Sequence, residues 1–226
     1  MTQWLLEELE CAICHKTSEH EQVDRIHLMG FKDLDTRPPE MLRSTLRVWV
    51  DECPHCGYCA QEMGEKHERA PDVIKRREYR ATRNNPDLPR LVNRFLCWAM
   101  IQVATGDLRG GAWSTIHAAW ACDDDGLQEQ AKSMRVKAVV AYEQALEVGQ
   151  ATLQVGADQA VMVDLLRRAS ELERAKKVCV EALALEDLTP KITEILEYQW
   201  VLISQRDLGR YSVDQALRSP NLKDLA

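Results

Sequence analysis

The sequence predicts a mainly α chain with a small β module at its N-terminus, and three observations carry that expectation. Beyond residue 90, apolar residues recur at helical spacing almost without interruption. Residues 1–68 instead show short alternating runs and hold five of the eight cysteines. Charge also changes sign along the chain: residues 1–68 are net −7, residues 69–94 net +5, and the remainder net −5. These breaks divide the chain into a module at 1–68, a basic connector at 69–90 and a helical domain at 91–226.

The module is organised by two cysteine pairs of one spacing, Cys11-Ala12-Ile13-Cys14 and Cys53-Pro54-His55-Cys56. A C-x2-C turn lets two thiolates reach one ion, and two such turns supply the tetrahedral four-sulfur set that zinc prefers. The expected ligands are Cys11, Cys14, Cys53 and Cys56, holding one structural Zn2+ per chain. Gly57 follows the second pair and can take a positive φ that turns backbone N–H groups toward the sulfurs. His15 and Lys16 follow the first pair, which lacks that glycine. Between Cys14 and Cys53 lie 38 residues, more than the roughly 15–20 usual in compact zinc sites, so the insert should carry structure of its own. In Ser44–Asp51, Leu46, Val48 and Val50 alternate as on one face of a strand running into Cys53. Val23, Ile26 and Leu28 suggest another strand after the first pair. Strand, knuckle and strand, used twice, is the plan of a zinc ribbon.

Other uses of these cysteines set alternatives. CPHC is also an active-site tetrapeptide of oxidising thiol oxidoreductases, which would make Cys53 and Cys56 a redox pair. That chemistry needs a helix starting at the first cysteine to depress its pKa, and Gly57-Tyr58 interrupts one. Cys11-Ala-Ile-Cys14-His15 matches the c-type haem attachment pattern, which belongs with export. Cys59 or His55 can also exchange with one of the four sulfurs. Cys97, Cys122 and Cys179 sit in apolar helical patterns and read as buried thiols.

The connector carries Lys75-Arg76-Arg77, Arg80 and Arg83, a solvated face or a partner for the acidic module, with a short helix expected at 72–82. Leu91, Phe95, Ala99 and Val103 then mark a first long helix, ended by Thr105-Gly106-Asp107. Residues 110–122 make a second, and Leu127, Ala131, Met134, Ala138, Tyr142 and Ala145 a third. Asp158 is a candidate cap for a fourth, 159–169. Residues 172–186 form a fifth, and Thr189-Pro190 opens a sixth with cap and proline in the favoured order. Ala138-x3-Tyr142-x2-Ala145-Leu146 recurs 37 residues on as Ala175-x3-Cys179-x2-Ala182-Leu183. Small residues so spaced let helices approach closely, as in tetratricopeptide pairs, whose period is about 34. The helical domain is therefore expected to be an antiparallel, tetratricopeptide-like layer.

Together these parts resemble a bacterial domain-of-unknown-function family with a zinc ribbon followed by tetratricopeptide-like helices. The resemblance rests on Cys11-Ala-Ile-Cys14, Val50-Asp-Glu-Cys53-Pro-His-Cys56-Gly57-Tyr58, Ala118-Ala119-Trp120 and Leu165-Leu166-Arg167-Arg168. It implies ribbon cysteines and a helical tail, with no established activity. His15 and Cys59 depart from the pattern.

The sequence contains no phosphate-cradling glycine loop, no H-E-x-x-H and no nucleophile elbow, and His117 lies in a helical pattern that suits packing. The expectation is a non-enzymatic protein that offers its helical face to a protein or peptide. A tryptophan set (Trp98, Trp113, Trp120 and Trp200) adds self-association as a second expectation. The overall charge of −7 argues against nucleic acid as the partner, leaving a nucleic-acid-binding ribbon as the third reading. No run approaches the roughly 20 apolar residues of a membrane span. MTQWLLEELE lacks a basic stretch and reads as no secretory signal, so the expected location is cytoplasmic.

Overall fold

The computed structural model describes residues 3–26 and 29–219. Two small antiparallel sheets lie near the N-terminus and helices make up the rest. The first sheet pairs β1 (Gln3–Glu10) with β2 (Thr17–Arg25), in a register that sets Glu10 opposite Thr17 and Trp4 opposite Val23. The second pairs β3 (Asp51–Glu52) with β4 (Cys59–Ala60). Each cysteine pair occupies the turn of one hairpin. Val23 lies in β2 and Ile26 just past its end, while Leu28 falls outside the described residues.

The strand expected over Ser44–Asp51 is corrected. Arg43–Val48 form a 3-10 helix, and only Asp51–Glu52 are extended. Thr45 decides the matter locally: its hydroxyl donates to the Leu42 carbonyl at 2.8 Å and accepts from the Trp49 indole at 2.8 Å. The turn then buries Thr45, Leu46 and Val50 on one side, a helical spacing that competes with the alternation of Leu46, Val48 and Val50.

The connector helix expected at 72–82 is two helices, α1 (Ala70–Val73) and α2 (Arg77–Arg83), broken where Arg76 turns extended at ψ 147°. Six longer helices follow: α3 (Arg90–Ala104), α4 (Leu108–Asp124), α5 (Gln128–Glu147), α6 (Ala157–Arg168), α7 (Leu172–Leu183) and α8 (Pro190–Ser204). A short α9 (Val213–Arg218) is fastened by a capping box between Ser212 and Gln215. Tight turns such as Thr105–Asp107 and Asp125–Leu127 make neighbours antiparallel, and each of α3 to α8 packs on the next in sequence. The repeated small residues mark these contacts, since Ala138, Tyr142, Ala145, Ala175, Cys179 and Ala182 are all buried.

Helix boundaries follow their caps. Asp107 accepts from the Gly110 N–H at 2.8 Å, and Thr189 caps α8 as its sequence suggests. Asp158 does not cap α6. Gly156, at φ +78°, is the cap residue, and Asp158 sits buried in the first turn. Its carboxylate is already engaged by the Thr152 N–H at 2.7 Å and by Arg109 at 2.9 Å.

Hydrophobic contacts run continuously across residue 69, from Cys11 and Tyr58 through Tyr79 and Phe95 to Ala216. The segment 33–37 lies against the helical layer, where Asp35 reaches Trp120 of α4 and Arg168 of α6. Among the described residues no helix is long and apolar enough to cross a membrane.

Candidate metal centre

The two hairpin turns bring Cys11, Cys14, Cys53 and Cys56 together, with all four sulfurs within 4.8 Å of one another. The closest approaches cross between the turns: Cys11 to Cys56 and Cys14 to Cys53, each 3.6 Å. A tetrahedral ion with metal–sulfur bonds of about 2.3 Å requires sulfur–sulfur edges of about 3.8 Å. The four cysteines therefore have the spacing and chemistry to hold a metal ion.

The turns share one backbone design. The Cys11 carbonyl accepts from the His15 N–H at 2.8 Å, and the Cys53 carbonyl from the Gly57 N–H at 2.9 Å. The residue closing each turn is left-handed, His15 at φ 58° and Gly57 at φ 77°. His15 thus does the backbone work that Gly57 does in the second turn, at the steric cost a side chain carries there. Its ring lies outward, 3.1 Å from Glu10. Gly57 has a second constraint, because an added Cβ would overlap the Arg83 guanidinium lying over it.

Neither proposed substitute ligand joins the sulfurs. His55 is exposed, with its Nε2 3.3 Å from the Thr17 carbonyl. Cys59 is buried in β4, 3.7 Å from the Gly57 carbonyl, and Cys97 beside it pushes its thiol up. All eight cysteines are free thiols. Cys53 follows a strand rather than opening a helix, so it lacks the helix terminus that activates thiol oxidoreductases.

Without a cation the four thiols cannot ionise together. Burial pushes Cys11 and Cys56 up. Cys14 is desolvated too, yet the Lys16 N–H and the neighbouring sulfurs hold it below the usual thiol value. A bound dication removes this conflict by favouring all four thiolates. Positive charge is also gathered beside the second turn. Glu52 stands among Arg90 at 3.2 Å, Arg94 at 3.5 Å and Arg83 at 4.0 Å.

Polar contacts absent from the sequence reading fix the turns to the rest of the chain. His20 Nδ1 is 3.0 Å from Asp51 Oδ1, Ser18 Oγ is 2.8 Å from His20 Nε2, and Gln22 donates to Asp51 at 3.0 Å. This relay ties the first hairpin to β3. The Tyr79 hydroxyl donates to the Gly57 carbonyl at 2.8 Å and accepts from the Cys59 N–H at 3.1 Å, so α2 buttresses the second turn. Tyr79 lies 22 residues from its acceptor, and no local pattern links them.

His117 packs among aromatic rings, with centroids 5.2 Å from Trp49, 5.3 Å from Phe95 and 4.8 Å from Trp120. Its Nδ1 is buried with no hydrogen-bond partner. Desolvation pushes its pKa down to about 3, against the opposing pull of Asp35. In the unfolded chain the ring accepts a proton near pH 6.5, and in the fold it does not. The unfolded state therefore binds more protons as pH falls, and stability is lost below about pH 6.5, at up to about 1.4 kcal/mol per pH unit. His117→Phe is expected to flatten this slope. Urea unfolding of both proteins between roughly pH 7 and 5.5 reads it, and identical slopes would refute the assignment.

The tryptophan set is mostly enclosed. Trp98 and Trp120 are buried, and Trp113 and Trp200 are half-buried, so they supply no exposed patch. The exposed tryptophan is Trp4, on β1. No family model, curated protein or solved structure matches the chain.

Proposed function

We propose that the chain is a non-catalytic interaction scaffold whose N-terminal hairpins are held by one structural Zn2+ on Cys11, Cys14, Cys53 and Cys56. The observation that carries this reading is the convergence of four sulfurs from two turns onto one point. Four protein thiolates complete a tetrahedral shell and leave no position for water or substrate, which is the character of a structural rather than a catalytic zinc. Zinc is favoured over iron because a closed, redox-silent ion suits a fastening role. The helical layer supplies the working surface, a groove between α3 and α5 lined by apolar side chains that takes a protein or peptide segment. The reading includes a reducing, cytoplasmic setting and the resemblance to the bacterial ribbon-and-helix family.

Metal content of protein purified without added metal tests it, with thiols counted before and after denaturation. One zinc per chain is expected, with four thiols becoming reactive as the metal leaves. Iron in its place would make the site redox-active. A metal-free chain with a reducible Cys53–Cys56 disulfide would overturn the scaffold and turn attention to thiol exchange.

A further inference from the structure

Two surfaces of this molecule lack a partner, and their characters are opposite. The first is the groove between α3 and α5, about 440 Å3 in volume. Met100 and Val103 form one wall, Ala141 the other, and Gly111 with Thr115 lies at the floor. Arg76 and Lys137 stand at its rim, from α2's N-terminus and from α5. Both are exposed and neither forms an ion pair among the described residues. Lys75, Arg77 and Arg80 extend this unpaired positive charge along α2. In a chain of net charge −7, such a concentration of unneutralised cations around an apolar floor selects an acidic, apolar occupant.

The second surface has that composition. In the β1–β2 arm, Trp4, Leu5 and Leu6 are 37%, 37% and 71% exposed, followed directly by Glu7, Glu8 and Glu10. Register sets Glu8 opposite Glu19, both exposed and without a cation partner among the described residues. Like charges directly across a ladder destabilise it, so the arm is electrostatically incomplete alone. Cations from outside would complete it. The arm is rooted at Cys11 and Cys14 and tied to β3 through His20 and Asp51. No residue of it lines the groove of its own chain.

We infer that the apolar, acidic β1–β2 arm of one copy seats in the basic-rimmed groove between α3 and α5 of a second copy. Two copies can seat their arms reciprocally, which closes the pair with two identical contacts. The inference rests on the scaffold reading in one respect: the metal holds the root of the arm.

Sedimentation velocity of the full chain tests it, with metal content measured on the same samples. A dimer at high micromolar concentration is expected, weakening as salt is raised because its charges are exposed. Leu6→Glu on the arm, and Arg76→Glu with Lys137→Glu at the rim, should each weaken association about tenfold or more. All three positions are exposed, so the variants should fold. An equimolar mixture of the arm variant and the rim variant should associate where neither does alone, since one intact arm then meets one intact groove. Association untouched by the rim variant would overturn the inference. So would a chain that stays monomeric, and if an acidic amphipathic peptide then bound the groove, the groove would belong to a different protein. A metal-loaded monomer would defeat this inference and spare the zinc reading. A metal-free dimer that behaves as expected in the mixing test would do the reverse.

Discussion

Cys53→Ser is expected to cost the N-terminal hairpins at least about 4 kcal/mol and to abolish metal retention. The reason is how little else holds them. β3 and β4 are two residues each, far below what a hairpin needs to stand alone in water. β1 is exposed along nearly its whole length, so its burial contributes little. The sulfurs of Cys11 and Cys53 are enclosed, and only an ion can use them without leaving four crowded thiols. Cys122→Ser is the matched control. Cys122 is buried in α4, with its thiol pushed up to about 11 by burial. Its replacement should cost about 1–3 kcal/mol for an enclosed hydroxyl and leave the metal in place. Hydrogen exchange separates the two: Cys53→Ser should free the amides of β1 to β4 while α4 to α7 stay protected. Equal protection of the hairpins in both variants would sink the expectation.

The cysteine cluster and the helical layer were legible for the same reason, because both are written in short spacings. A C-x2-C turn is closed within six residues, and the Ala138 and Ala175 patterns are each carried on one helix face. The failures are cases where two local rules share residues or where the partner is remote. Leu46 and Val50 suit a strand and a helical turn equally, and the Thr45 hydroxyl tips the balance by bonding both Leu42 and Trp49. Asp158 is of the right type for a cap, but Arg109, 49 residues earlier, claims its carboxylate. β1 escaped notice because Trp4-Leu5-Leu6 does not alternate, and the structure leaves all three exposed, so no core imposes a period of two. The relay from Ser18 through His20 to Asp51 spans 31 residues at its longer step, and only the folded metal turns bring its halves together.

The remoteness of partners is greatest at Asp35, and so is the expected penalty for breaking them. Asp35 sits in a proline-flanked loop that reads as solvent-facing, yet it is fully buried. Its Oδ2 accepts from the Trp120 indole at 2.8 Å and from Arg168 at 2.8 Å, and its Oδ1 accepts from the Arg37 N–H at 3.2 Å. Arg168 continues to Asp123 at 2.8 Å, Asp123 to Arg135, and Arg37 to Asp124 at 2.6 Å. One loop thereby fastens α4, α5 and α6. Burial alone would raise the Asp35 pKa, but the Arg168 and Arg135 charges outweigh it and hold the carboxyl below the usual range. Its stabilisation is therefore complete at neutral pH and is lost only as pH falls below about 4, through that depressed value. Asp35→Asn keeps the shape and removes the charge, leaving enclosed arginines undercompensated, at a cost of about 3–5 kcal/mol at neutral pH. Asp214→Asn, which breaks the exposed pair with Arg218, should cost less than about 1 kcal/mol. Urea unfolding compares them, and similar losses would show that the buried network contributes no more than a surface pair. Asp35→Leu combined with Arg168→Met provides the sharper test. Removing both charges spares the desolvation that removing one exposes, so the double variant should be more stable than Asp35→Leu alone. If it is less stable, the ions hold the loop by direct attraction to Asp123 and Asp164 as well, and the network acts as a whole rather than through its central pair.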